Sequence, residues 1–339
     1  MLVVRAARRD DIDAFVALAE GAGTGFTSLA LERDDLAERL EKSACAYESA
    51  ISEPGEEIYQ LMLEDTESGR VVGCAAVKAA VGLSKPYYDF KIVTLAQSSR
   101  VADRRFDMDV MLLVNDFAGC SEVGSLFVSD GLRGTGAGRL IAQTRYLLMA
   151  ADFRRFGQRV LAELRGVVRD DGSSPFFDAV TRHFFGMTFD EADRMSAASD
   201  NQFILDLMPK HPIYVDLLSA EAKAVIGVTH KLGGGARKLL EWEGFTYDRY
   251  IDIFDGGPLM SVPTRQARSA RESRSVKVTA ARALDDPKSV IVTTDRFSDF
   301  RSIQTQADVT TDSVALGPDA MRALNLTEGE KARIWVRET

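Results

Sequence analysis

The sequence predicts a mixed α+β protein, an α/β core followed by a small C-terminal β-barrel, and three observations carry that prediction. Apolar strand-like runs alternate with amphipathic helical patterns through the first half of the chain. One apolar run, "EVGSLFVSD", passes through the glycine-rich stretch "GLRGTGAG" into a long helical pattern. The tail from Lys277 holds short β-rich runs, "SVIVTT", "DSVALG" and "KARIWV", with one short helix at "PDAMRALNL".

Residues 2 to 7, "LVVRAA", read as a first strand. A helix follows in "RDDIDAFVALAE", with Asp10 or Asp11 as N-cap and Ile12, Phe15, Val16 and Ala19 at helical spacing. Gly21, Gly23 and Gly25 break that pattern before "LERDDLAERLEKSACAYESAI" resumes as a second amphipathic helix. A hairpin comes next: a strand to Leu63, a turn at "EDTESGR" and a strand from Val71 to Val81. "YYDFKIVTLAQSS" and "DVMLLVNDF" are further strands, "RLIAQTRYLLMAADFRRFG" is a helix after the glycine loop, and "RVLAELRGV" is the next strand. Past Gly166 the pattern turns to aromatic-rich helices, in "SPFFDAVTRHFFGMTF", "DNQFILDLMPKHPIY" and "SAEAKAVIGVTH". "GGARKLLEWEGFTYDRYIDIF" reads as a helix stopped by Gly244 and then a strand. Polar, basic "PTRQARSARESRSV" reads as a linker, so the expected division is a core over 1–262, a linker over 263–276 and a separate barrel-like domain over 277–339.

Length favours more than one domain. Forty-two basic against 51 acidic side chains leave a net charge of -9, which argues against a nucleic-acid partner. Three cysteines without paired spacing predict neither a disulfide framework nor a metal site, and fit a reducing cytoplasm. The first twenty residues carry arginines and aspartates where a signal peptide would be apolar, and no uncharged apolar run of membrane-spanning length follows. A soluble cytoplasmic protein without a membrane partner is expected.

A strand, a glycine loop and a helix together form an anion-binding device: exposed backbone N–H groups and the positive end of a helix point at one place. Gly134, Gly136 and Gly138 do not fit the dinucleotide spacing, and no lysine followed by serine or threonine makes a nucleotide-triphosphate loop. A glycine-rich turn without a ligand stands beside the phosphate reading. What remains, Arg133-x-x-Gly136-x-Gly138, resembles the pyrophosphate loop of the GNAT acyltransferases, which binds coenzyme A. The opening "VRAARRDDIDAF" and the late "ARKLLEWEGF" are similar to that fold's first strand and helix and to its late helix, so that either a large insertion precedes the latter or "FFDAVTRHFFGMTF" supplies that helix instead.

More specifically, "GTGFTSL", "LAELRGV", "SPFFDAVTRHFFGM", "LMPKHPIYVDLLSAEAKAVIG" and "EGFTYDRYIDIFDGGP" resemble the arginine N-succinyltransferase family, from the N-terminus to about residue 262. The resemblance implies a GNAT-like core and transfer of succinyl from succinyl-CoA, a co-substrate rather than a resident cofactor, to the α-amino group of L-arginine. It implies His230 as proton donor to the leaving thiolate and Leu126 as a succinyl-CoA contact. Main-chain groups of Leu126, Phe127 and Val128 are expected along the donor, with Gly134, Gly136, Gly138 and Arg133 at its pyrophosphate and Arg139 as a helper. Glu122, Glu163, Asp252 and Asp255 are candidates for the guanidinium, each equally open to a capping or surface role. Lys210 or Arg165 would meet the succinyl carboxylate. His211 is expected to shape the site from a turn, and His183 to pack on an aromatic helix. No cysteine has a partner at telling spacing, so direct attack on the thioester is preferred. An ornithine/arginine subunit paired with a paralogue, a homo-oligomer such as a dimer, and a module that binds CoA or arginine without turnover remain open alternatives.

Overall fold

The computed structural model describes residues 1–22, 29, 31–198 and 201–337. The chain opens with β1 (Leu2–Ala6), α1 (Ile12–Ala22) and α2 (Arg33–Glu48). Two hairpins follow, β2 (Ile58–Asp65) with β3 (Arg70–Lys78), and β4 (Asp89–Ser99) with β5 (Arg104–Val114). Next come β6 (Ser121–Val128), α3 (Ala137–Ala151) and β7 (Arg159–Glu163). Short helices α4 (Pro175–Ala179), α5 (Arg182–Phe185), α6 (Phe189–Ala198) and α7 (Gln202–Leu207) fill the expected insertion and lead to β8 (Ile213–Tyr214) and α8 (Ala220–Val225). Then come α9 (Gly234–Glu243), β9 (Thr246–Asp252), β10 (Pro258–Pro263) and α10 (Arg268–Glu272). The tail is β11 (Arg274–Ala280), β12 (Lys288–Thr294), β13 (Arg301–Val309), β14 (Ser313–Leu316), α11 (Pro318–Leu324) and β15 (Lys331–Val336).

The chain divides into two compact units, one of residues 1–80, 121–160 and 263–339, the other of residues 81–120 and 161–262. In the first unit, β12, β15, β11, β14 and β13 close on one another through a β12–β13 pairing, giving a five-stranded barrel. Val278, Ile291, Ile303, Val314 and Ile334 are buried completely in this part of the chain. From β13 the ladder continues antiparallel through β1, β2 and β3 to β6. Phe15, Leu36, Leu40, Met62, Cys74 and Phe127 form a second core against it. The barrel is joined to the rest of the ladder by β1.

Residues 263–276 are not a linker. Ala267, Ser269 and Ala270 are buried, the Thr264 hydroxyl donates to the Gly157 carbonyl at 2.6 Å, and Arg274 already stands in β11. Small residues packed closely look polar in a sequence because the arginines between them dominate its composition. Gly21 lies inside α1 rather than ending it, while Gly23 and Gly25, with most of "GTGFTSL", fall outside the described residues.

The second unit carries a sheet in the order β10-β9-β4-β5-β8, with the end of β7 beside β10. Phe90, Phe176, Phe177, Phe185, Ile251 and Ile253 form its core. The single helix expected over "SPFFDAVTRHFF" is two short ones, because Val180 and Thr181 interrupt it and the Thr181 hydroxyl donates to the Ile253 carbonyl. Gly244 stops α9 as expected, in the left-handed region at φ 95°, where a side chain would be strained.

One buried ion pair fixes the start of the chain. The Arg5 guanidinium donates to both oxygens of Asp11, at 2.7 and 2.8 Å, and its Nε donates to Glu64 on β2. Arg5 and Asp11 are nearly closed to solvent, so removing Asp11 leaves the buried guanidinium with Glu64 alone. Asp11→Ala is expected to cost about 3 kcal/mol, read as a lower midpoint in urea unfolding; an unchanged midpoint would show that the pair contributes nothing.

Candidate active site

The bulged strand and glycine loop expected to meet the acyl donor lie in the first unit. Opposite β3, the register of β6 shifts by one between Gly124 and Phe127, so Ser125 and Leu126 together face Ala75. This is a β-bulge, and Ser125 takes a left-handed φ of 51° to make it. The Ser125 hydroxyl accepts from Arg39 Nη2 at 2.8 Å, and its carbonyl accepts from the Cys74 thiol at 3.5 Å. A bulge takes one residue out of the ladder, and here it falls at Ser125 and Leu126, the latter selected from the sequence through the family resemblance.

Beyond Val128 the chain makes a short 3-10 turn at Asp130–Leu132 and reaches α3 through Gly134 at φ 81° and Gly136 at φ 94°. A Cβ built on either glycine meets nothing within 4 Å, so backbone conformation, and not crowding, requires glycine there. Gly136 is the N-cap of α3, a fifteen-residue helix with no acidic residue in its first turn, so its positive end is not neutralised locally. Gly138 differs: it sits inside the first turn at an ordinary φ, with room for a Cβ at 3.9 Å from Val128. Arg133 is exposed and paired with Asp130 at 2.8 Å, and Arg139 is exposed. Glu122, also in this unit, is committed to Lys78, its cross-strand partner, at 2.8 Å.

The second unit holds His230 and the other acidic candidates. His230 is half-buried at the start of a 3-10 turn. Its N–H donates to the Arg165 carbonyl at 2.8 Å, and its Nδ1 accepts from the Leu232 N–H at 3.3 Å. An accepting Nδ1 places the ring proton on Nε2, which leaves that atom as a donor. Burial, with the charges of Arg165 and Lys231 behind it, holds the imidazole below its ordinary pKa, so the ring is neutral at pH 7.

The loop "IDIFDGGP" is built on its carboxylates. Asp252 Oδ1 accepts the Phe254 and Asp255 N–H groups at 2.8 and 2.7 Å. Asp255 accepts the Gly166 N–H at 2.7 Å and the Gly257 N–H at 2.8 Å, one on each oxygen. Burial pushes both carboxyls up, and Asp252 is raised further by the charges of Asp255 and Glu163. Glu163 is exposed at the end of β7 and accepts from the Tyr87 hydroxyl. Directly across from Asp252 in the β4–β9 pairing stands Asp89, wholly buried, a residue sequence reasoning missed. Its signal was a carboxylate between aromatic residues at the start of a strand, "YYDFKIV".

Lys210 and His211 are exposed on the bend before β8, as the turn reading expected. His183 is exposed on α5 and does not pack among its aromatic neighbours, a correction: Phe185 is the buried member of that short helix. Arg165 lies over the Phe189 ring, 6.0 Å from its centre. Among the described residues, no group of His, Cys, Asp and Glu is arranged to hold a metal ion, and no helix is long and apolar enough to cross a membrane.

Comparison with known proteins gives a consistent result. The family model described as arginine N-succinyltransferase beta subunit matches residues 2–269, and the model of its C-terminal domain matches residues 274–335. The arginine N-succinyltransferase of Yersinia enterocolitica serotype O:8 / biotype 1B is 38% identical over 336 residues, 98% of this chain and 97% of that protein. That of Escherichia coli strain 55989 is 36% identical over 335 residues, with the same coverage. The solved structure of arginine/ornithine succinyltransferase subunit AI from Pseudomonas aeruginosa superposes with a TM-score of 0.89 at 33% identity, covering 100% of this chain and 99% of that one.

With only three histidines in the chain, the Cε1–H resonance of His230 can be assigned by its loss in His230→Asn. Its NMR titration is expected to have a midpoint below 6.5, because both burial and the neighbouring cations oppose the proton. A midpoint at or above 6.5 would show that the ring is solvated or faces an anion instead.

Proposed function

The chain belongs to the arginine N-succinyltransferase family, and from that premise we propose how its residues carry out the reaction. The protein is an acyltransferase that moves succinyl from succinyl-CoA to the α-amino group of L-arginine. The amine nitrogen bonds to the thioester carbonyl carbon, the C–S bond breaks, and N2-succinylarginine and CoA leave. One proton departs from the nitrogen and one arrives on the sulfur, so the reaction balances without a cofactor.

The observation that carries the residue assignment is the bulged strand running into two left-handed glycines and an unneutralised helix start. That arrangement supports pairing of the donor's pantetheine with the backbone around Leu126, Phe127 and Val128 and seating of its pyrophosphate on the N–H groups after Gly134 and Gly136. Gly138 and Arg133 assist there, the arginine after giving up its contact with Asp130. His230, neutral with its proton on Nε2, serves the leaving sulfur as hydrogen-bond and proton donor. The amine attacks the thioester directly: Cys74 is buried with its thiol pKa pushed up to about 12, which suits packing and not nucleophilic attack.

For the guanidinium we favour Asp252 and Glu163, whose mutual repulsion a cation would relieve, with Asp89 across the sheet from Asp252. Arg165 is the better-placed cation for the succinyl carboxylate, since its charge reaches both His230 and Asp255. Lys210 and His211 have only their position on an exposed bend. We assign the enzyme to the cytoplasm, where its three free cysteines stay reduced, and to an oligomer of itself or with a paralogous subunit. Ornithine is a second acceptor to consider, because the Pseudomonas relative is described as acting on both.

A thiol-release assay with succinyl-CoA or acetyl-CoA against arginine, ornithine and lysine is expected to show CoA release with succinyl-CoA and arginine. Absence of release with every pair would sink the enzymatic reading. His230→Ala should lower kcat by roughly 10²–10⁴ while CoA binding by calorimetry persists; unchanged kcat would remove His230 from the chemistry. Gly136→Val should weaken CoA binding at least ~10-fold, since a β-branched residue strains a left-handed position. Unaltered affinity would mean that the pyrophosphate sits elsewhere.

A further inference from the structure

The β4–β5 hairpin is longer than its surroundings need. Its two strands pair along eleven residues each, from Asp89↔Val114 to Ser99↔Arg104. Every residue from Ala96 to Asp107 is exposed, so neither face of the outer half is covered within its unit. Val101 at the tip is fully exposed, and Phe106 is 54% exposed. A two-stranded ribbon with both faces in water is marginal in stability, which points to a partner.

The outer edge of β5 is open as well. β4 lies on one side, and on the other β8 covers only Val110 and Met111. Among the described residues, Arg104–Asp109 therefore face no strand on that side, an edge that pairs readily with another chain.

The sequence of this edge, "RRFDMD", says which partner it fits. Basic residues precede Phe106 and acidic ones follow it. When such a strand pairs antiparallel with a copy of itself about a two-fold axis at Phe106, Arg105 of each copy stands opposite Asp107 of the other, and the two Phe106 rings stand opposite each other. Opposed residues share a sheet face, so two ion pairs lie on one face and the aromatic pair on the other. In the single chain, Arg105 and Asp107 already lie 3.2 Å apart on that face, exposed and able to exchange partners. The register leaves Asp109 free to keep its contact with Arg249 at 2.6 Å. A strand complementary to itself is what an isologous two-fold contact requires.

We propose that the β5 edge, Arg104–Asp109, is a homodimer contact that joins two copies of this chain strand to strand about Phe106. The test uses the full chain and sedimentation equilibrium. Wild type is expected to be dimeric at ~10 μM, as suits a small interface. Arg105→Glu alone sets Glu against Asp107 twice, and Asp107→Arg alone sets Arg against Arg105 twice. Each single variant should dissociate at least ~10-fold more readily. Mixed in equal amounts, the two should dimerise again, because one strand is then wholly acidic and the other wholly basic at these positions. Contacts within one chain cannot produce that rescue. Far-UV circular dichroism of each variant confirms that the fold persists. A monomeric wild type, single variants as dimeric as wild type, or no recovery on mixing would overturn the proposal.

Discussion

The acidic loop after β9 hangs on one close approach of backbone to backbone. Gly166 and Gly257 both donate to the Asp255 carboxylate, and neither position has room for a side chain. A Cβ on Gly166 would fall 2.4 Å from the Asp255 carbonyl oxygen, and one on Gly257 would fall 2.1 Å from that of Leu164. The strand end at Leu164 and the loop after β9 are thereby held at contact distance. His230 depends on the same knot, since its N–H is bound by the carbonyl of Arg165, next to Gly166. Gly227, three residues before His230, donates to the carbonyl of Gly256. The imidazole is thus positioned by the backbone on two sides, with its own ring nitrogen spent on the turn it caps.

The cost of that arrangement appears in the electrostatics. Asp252 and Asp255 are both pushed toward their protonated forms by burial; backbone N–H groups offset part of the penalty at both, and the Arg165 charge helps at Asp255. A cation arriving near Asp252 and Glu163 relieves the repulsion that raises Asp252. The bulge and glycine loop of the other unit are built differently, from left-handed backbone at Ser125, Gly134 and Gly136, the buried Arg39 guanidinium on the Ser125 hydroxyl, and the positive start of α3.

Much of this was legible in the residues. The early order of strands and helices, the Gly244 stop, the strand–loop–helix device and barrel strands β12, β14 and β15 were visible as periodicity and turn chemistry, whereas β10 and β13 were not read. Within the loop, sequence could not separate Gly138, which has an ordinary φ, from Gly134 and Gly136, which do not, because all three are simply glycine. The linker reading failed because burial of Ala267, Ser269 and Ala270 is set by close packing, which small residues permit without advertising it. His183 was misread because a helix of four residues has no reliable inner face. Asp89 escaped notice because its meaning lies in its register with Asp252, and register between strands so far apart in sequence is invisible until the sheet is assembled.

The pairing of β1 with β13 carries a consequence for how the protein is made. Val3 is the register partner of Ile303, so during synthesis one edge of β1 waits for a strand about three hundred residues later. At about 5–20 residues per second, that interval lasts roughly 15–60 s. Meanwhile β2 can cover one side of β1, but the other stays open to any strand nearby, including those of neighbouring nascent chains. Synthesis of this chain therefore has a window in which its N-terminal sheet is complete on one side only, and the emerging barrel closes it.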